Sequence, residues 1–143
     1  MTVSLVLSAP HRDQICSHAR TAYPDECCGL LVGRGSADTG FRVERVIPAA
    51  NVHPDPARHF EVDPTIHIQW QRRLRGTASR IIGHYHSHPD GVPEPSMWDR
   101  GAVIDSGLVW LIVAVGRANA TMLAWLPGAD GGGFQTVRLD MLA

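Results

Sequence analysis

Lysine is missing from this chain: all thirteen basic residues are arginine. A GC-rich genome accounts for the bias, but the consequence stands that no lysine side chain is offered for isopeptide modification. Cysteine is scarce as well. Cys16, Cys27 and Cys28 are odd in number and form no C-x-x-C pair, which excludes a disulfide framework. Residues 1–8 are too short and lack the basic start for a signal peptide, and no apolar run reaches membrane-spanning length. A reducing cytoplasm and no membrane partner fit these absences. The formal charge of −1 gives no basic surface for nucleic acid. Repeats, linkers and low-complexity tracts are absent too. What remains is an ordinary globular composition, 44% hydrophobic and 19% charged. Its 143 residues suit one domain, 1–143, large enough to bury a real core.

The hydrophobic pattern predicts the elements. Val3–Leu7 reads as a short strand. Pro10–Ala22 reads as a helix, with Ile15, Ala19 and Ala22 on one face. Cys27–Val32 is apolar throughout, as a central strand should be, and Gly33–Gly40 reads as a turn region before a partner strand, Phe41–Pro48. Asp63 and Pro64 suit the N-cap and first turn of a second helix, on which Ile66, Trp70 and Leu74 recur before Gly76 closes it. A third helix is expected over Ser96–Ser106. The unbroken apolar run Leu108–Val115, then Thr121–Leu126 and Phe134–Leu142, read as three closing strands around a flexible Gly128–Gly133 turn. The order β-α-β-β-α-β-α-β-β-β argues for an α/β (α+β) fold, a mixed sheet flanked by helices.

The chain is organised around Gly83-His84-Tyr85-His86-Ser87-His88-Pro89. The apolar Arg80-Ile81-Ile82 ahead of it makes the run a strand. Alternation then puts Ile82, His84, His86 and His88 on one face and Tyr85 and Ser87 on the other. Two imidazoles at this spacing can close on one ion, and a catalytic zinc site keeps its fourth position for water. Asp99, eleven residues after His88, supplies a third ligand once the Pro-rich turn has reversed the chain. Spacing alone leaves two ligand pairs open, His84/His86 and His86/His88. It also nominates Glu94, the nearest glutamate, as a base.

His86-Ser87-His88-Pro89 followed by Ser96-x-x-Asp99 resembles the His-x-His-x10-Asp signature of the JAMM (MPN+) zinc metallopeptidases. Two further segments resemble that family in the same order. Pro24–Gly33 is similar to its glutamate-bearing strand, and Phe60-x-x-Asp63-Pro64 to the segment before its second helix. The resemblance implies a curved sheet of the cytidine-deaminase-like kind, with Zn²⁺ on His86, His88 and Asp99. It implies Glu26, on a strand, as the general base and Ser96 as a hydrogen-bond donor to the oxyanion. His84 becomes packing or second-sphere support.

Such enzymes hydrolyse peptide or isopeptide bonds next to ubiquitin-like proteins. The short stand-alone members resemble those that trim or release a sulfur-carrier protein ending in Gly-Gly. The expected partner is therefore a ubiquitin-like sulfur carrier, whose tail would add along a sheet edge near the metal. The alternatives are an inert MPN-type scaffold or a peptidase of unrelated short peptides. A zinc deaminase would need His-x-Glu and Pro-Cys-x-x-Cys, and neither is present. Of the other histidines, His11 and His18 read as packed or solvated residues and His53 and His59 as surface residues, with substrate contact the alternative. Cys27 and Cys28 read as buried small hydrophobes, and Met97 and Trp98 as substrate contacts or helix packing.

Overall fold

A computed structural model describes residues 2–101, 107–116, 119–128 and 133–143. The described elements follow the order that the sequence predicts: β1 (Ser4–Ser8), α1 (Ala9–Ala22), β2 (Cys28–Ser36), β3 (Gly40–Ala49), α2 (Pro64–Arg73), β4 (Arg80–His88), α3 (Met97–Gly101), β5 (Val109–Val115), β6 (Ala120–Pro127) and β7 (Phe134–Leu142). The expected run of α3 on to Ser106, and residues 129–132 of the turn before β7, lie outside the described residues.

The strands form one mixed sheet in the order β1-β3-β2-β4-β5-β6-β7, so strongly curved that it closes into a barrel. Closure comes from parallel pairing of β1 with β7 along Ser4–Ser8. The strand β5 shows why its sequence is apolar without interruption. With β4 parallel on one side and β6 antiparallel on the other, Val109 to Ala114 are all buried. Fully burying one such side chain contributes about 1.5–3 kcal/mol. Helix α1 covers the core with Ile15, Cys16 and Ala19, its N-terminus capped by Ser8, whose hydroxyl accepts from His11 N at 3.3 Å.

The strand β2 runs further than the turn-rich Gly33-Arg34-Gly35-Ser36 sequence suggests. Its pairing with β3 continues to Ser36 opposite Gly40, and the chain reverses only over residues 37–39. Gly29 on β2 has a packing reason: a Cβ there would overlap the Tyr85 ring and the Ile47 carbonyl.

One expectation about β4 is corrected. Ile82 does not share the face of the histidines; it lies in the core with Tyr85. The cause is a β-bulge. Leu31 pairs with Gly83 but Val32 pairs with Ile81, so Ile82 is the extra residue and the alternation changes phase there. Beyond it the pattern holds, with His84, His86 and His88 on one face and the fully buried Tyr85 and Ser87 on the other.

Nor does β4 offer a free edge for an added strand. It lies between β2 and β5, and the registered pairs reach Cys28–His86 on one side and His88–Ala114 on the other. Helix α2 sits lightly on the barrel, with no residue fully buried. Asp63 caps it, accepting from Thr65 N at 3.0 Å. Trp70 is half-buried beneath the Arg73 guanidinium, 4.4 Å from the ring centroid, and Arg45 lies at 5.8 Å. No helix among the described residues is long and apolar enough to cross a membrane.

Candidate active site

The C-terminal half of β4 projects His86 and His88 towards the first turn of α3. There His86 Nε2 lies 3.1 Å from His88 Nε2, and Asp99 Oδ2 lies 3.3 Å and 3.0 Å from the two nitrogens. All three residues are buried. Asp99 is fixed from its own helix start, its Oδ2 accepting from Ser96 N at 2.9 Å while Asp99 N donates to Ser96 Oγ at 3.0 Å. This reciprocal capping, with an acid at the third position after the serine, is a sequence signal for a helix start. Here it also aims the carboxylate.

The outer nitrogens explain what the inner ones present. His88 Nδ1 donates to the Val92 carbonyl at 2.7 Å, so the neutral ring leaves Nε2 bare. His86 Nδ1 faces His84 Nε2 at 3.1 Å, and donation in that direction leaves His86 Nε2 bare too. Two lone pairs and a carboxylate oxygen therefore converge. Their separations approach the roughly 3.3 Å edge of a tetrahedron with metal–ligand bonds of about 2.0–2.1 Å. The donor set fits a small divalent cation. Of the two histidine pairs left open by spacing, the one that converges with Asp99 is His86/His88. His84 stands behind His86, and Phe60 stacks on the His86 ring with centroids 4.1 Å apart.

Charge follows the same geometry. Burial alone would raise the Asp99 carboxyl, but the adjacent His86 and His88 imidazoles and the Ser96 N–H outweigh it and hold it far below the usual carboxylate range. Burial lowers His86, against the pull of Asp99. For His88 burial also acts downward, yet the neighbouring Asp99 carboxylate and the Val92 carbonyl raise it on balance.

Glu26 is a second buried carboxyl near the histidines. One of its oxygens lies within 4.8 Å of ligand nitrogens of His86 and His88. Burial pushes its pKa up to about 8, opposed by His88 and reinforced by Asp99 and Asp90. Distance alone would thus allow Glu26–His86–His88 as a metal-binding group. Asp99 Oδ2 lies 3.3 Å and 3.0 Å from the two nitrogens and is held ionised, as a metal ligand needs to be. Glu26 Oε1 is buried with no hydrogen-bond partner among the described residues. Glu94, the glutamate nearest in sequence, lies exposed in the loop before α3.

The expected setting of Glu26 needs correction. It does not stand on a strand, since β2 begins at Cys28. Its backbone is held by a loop instead: Glu26 N donates to the Pro56 carbonyl at 2.7 Å. Cys27 then joins β4, its N–H donating to Ser87 Oγ at 2.7 Å. Burial raises the Cys27 and Cys28 thiols to about 11 and about 12, which keeps them protonated and unreactive at neutral pH.

A cavity of about 1080 Å³ opens beside Asp99, lined in part by His53, His59, Phe60, His84, Trp98 and Trp110. The sequence places His53 and His59 on the surface. Both are half-buried in the cavity wall, with His59 edge-on to Trp98 at 4.9 Å. Met97 and Trp98 are 81% and 66% exposed, so neither packs into the core. His18 is a packing residue, its Nδ1 2.7 Å from the Tyr85 hydroxyl beneath the histidine strand.

The converging donors make this a candidate metal site, and comparison with known proteins gives the family. Residues 8–127 match the family model Prok-JAB, prokaryotic homologues of the JAB domain. The chain belongs to that family, the short prokaryotic JAMM type, and is a hydrolase. It is similar to the desampylase of Haloferax volcanii, 37% identical over 121 residues that cover 81% of this chain and 85% of the relative. The tail tip assembly protein K of Escherichia phage N15 is 34% identical over 71% of this chain. A probable TtuB-protein conjugate cleaving protease of Thermus thermophilus is 35% identical over 66%. The matches span only 37% and 62% of those two relatives. Among solved structures, protein DSY2949 of Desulfitobacterium hafniense superposes with a TM-score of 0.82 at 30% identity, covering 96% of this chain and 92% of that one. The JAB1/MPN domain protein AF2198 of Archaeoglobus fulgidus shares the fold, with a TM-score of 0.64 at 18% identity over 99% of this chain and 100% of that one.

Proposed function

We propose that residues 1–143 act as one zinc peptidase domain that cleaves the peptide or isopeptide bond after the C-terminal Gly-Gly of a ubiquitin-like sulfur carrier. The observation that carries the reading is the convergence of two bare imidazole nitrogens and one ionised carboxylate beside a separate, buried Glu26. His86, His88 and Asp99 would hold Zn²⁺. Bound there, zinc supplies Lewis-acid polarisation of the scissile carbonyl and lowers the pKa of water to roughly 7.

The remaining roles fall to the chain's own groups. Glu26 takes the proton of the attacking water and hands it to the leaving amine. A carboxyl whose pKa burial raises is suited to hold that proton between the two steps. Ser96 spends its lone pair on Asp99 N–H and keeps its own O–H, which donates to the oxyanion. Met97, Trp98 and His59 flank the cavity beside Asp99 and would receive the substrate on either side of the scissile bond.

The relatives support the substrate class, one being named a desampylase and another a probable TtuB-protein conjugate cleaving protease. With β4 paired on both sides, the carrier's tail would lie in the cavity rather than add to that strand. An inert scaffold has no need of the complete set His86, His88, Asp99, Glu26 and Ser96. Three free, buried thiols agree with work in a reducing cytoplasm. The test is intact-mass analysis of a small ubiquitin-like carrier extended beyond Gly-Gly and incubated with zinc-loaded protein. Cleavage directly after Gly-Gly supports the reading. Intact carrier alongside hydrolysis of unrelated short peptides would replace it with a general peptidase.

A further inference from the structure

Nothing in the sequence singles out Asn51, yet its side chain uses every hydrogen-bonding position it has. Nδ2 donates to the Glu26 carbonyl and to the His59 carbonyl, each at 2.9 Å. Oδ1 accepts from His53 N at 3.1 Å and from Glu61 N at 3.0 Å. Two carbonyls face one end of the amide and two N–H groups the other, so the network itself fixes the amide's orientation.

The loop that Asn51 organises, residues 51–62, is closed at its neck by the bridge between Asn51 and Val62. It reaches the site at two points. Pro56 accepts from Glu26 N at 2.7 Å, and Phe60 stacks on His86. Glu26 is thus gripped through its main chain alone by this loop, N–H at Pro56 and carbonyl at Asn51. Its Oε1 has no hydrogen-bond partner among the described residues, so that oxygen does nothing to fix where the carboxyl sits.

We propose that Asn51 is a positioning residue for Glu26. By holding the 51–62 loop shut and binding the Glu26 carbonyl, it sets the distance from the carboxyl to the histidine pair. The inference rests on the reading of Glu26 as the base, and a misplacement of about 1 Å in such a group can cost on the order of a hundredfold in rate.

The test compares Asn51→Ala and Asn51→Asp with wild type and with Asp63→Ala. Asn51→Asp keeps the shape and turns both donors into an acceptor facing two carbonyls. Asp63→Ala loosens the adjoining segment by removing the α2 cap without touching Glu26. Both Asn51 variants should show exchange of the Glu26 amide accelerated at least about tenfold by NMR, with β4 amides unchanged. Their kcat should fall about 10- to 100-fold, with KM within about threefold and full metal content. Asp63→Ala should lower the melting temperature and leave kcat in place. Unchanged Glu26 amide protection overturns the proposal, and so does a kcat loss in Asp63→Ala equal to that in Asn51→Ala. The exchange arm needs no turnover, so a wild type without peptidase activity would contradict the proposed function and still decide this inference.

Discussion

Cys27 and Ser87 are bonded to each other twice: Cys27 N–H donates to Ser87 Oγ at 2.7 Å, and Ser87 N–H donates to the Cys27 carbonyl at 3.0 Å. The pair staples the residue after Glu26 to the residue between His86 and His88. It fixes Glu26 and the two histidines relative to one another across two separate segments of chain. Ser87→Ala removes one partner and leaves a buried N–H unpaired, a cost of about 1–3 kcal/mol. Thermal unfolding should show that loss. Steady-state kinetics should show a lower kcat with little change in KM, because the staple touches no substrate.

Ser96 is assigned two roles that a single substitution can separate. As a cap it satisfies Asp99 N, and Ser96→Ala should cost about 1 kcal/mol of stability. As an oxyanion donor it should cost about 10²–10³ in kcat. The two readings differ by far more than error. A variant with reduced melting temperature but nearly full kcat would leave the serine as a cap only.

Glu26 gives the metal-free protein a characteristic pH dependence. Its folded pKa is raised to about 8 by burial, above its ordinary value of 4.5. The folded state therefore holds this proton more tightly than the unfolded chain. Its contribution is fully present below about pH 4.5 and is lost as pH rises through about 8. Glu26→Gln cannot lose that proton. In the chelated protein it should raise the melting temperature relative to wild type at pH 8 to 9, by on the order of 5 °C. The difference should vanish towards pH 4. Equal melting curves at both ends would contradict the buried, protonated state.

Much of this was legible because it depends on local pattern. The element order follows from apolar runs and caps, and β5 announced its central place by having no polar residue at all. The convergence of His86, His88 and Asp99 was legible because a strand's alternation and one turn suffice to bring them together. What escaped had non-local causes. The bulge at Ile82 is set by register against Leu31 and Val32, which β4's own sequence does not encode. The setting of Glu26 depends on Pro56 and Asn51, some thirty residues on, brought back by a loop. His53 and His59 read as surface residues because a polar, Pro-containing segment usually lies outside. Here it folds over the histidine-bearing strand and becomes a cavity wall.

The most direct test of the account is zinc stoichiometry and turnover measured on one sample of Glu26→Gln. Its central claim is a division of labour, with His86, His88 and Asp99 as ligands and Glu26 as base. The account predicts one zinc per chain, held as in wild type, with turnover reduced by at least about a thousandfold. Loss of the metal with Glu26 would make that residue a ligand, as its approach within 4.8 Å of the histidine nitrogens permits. Retention of turnover would remove it from the mechanism. Either result would contradict the assignment.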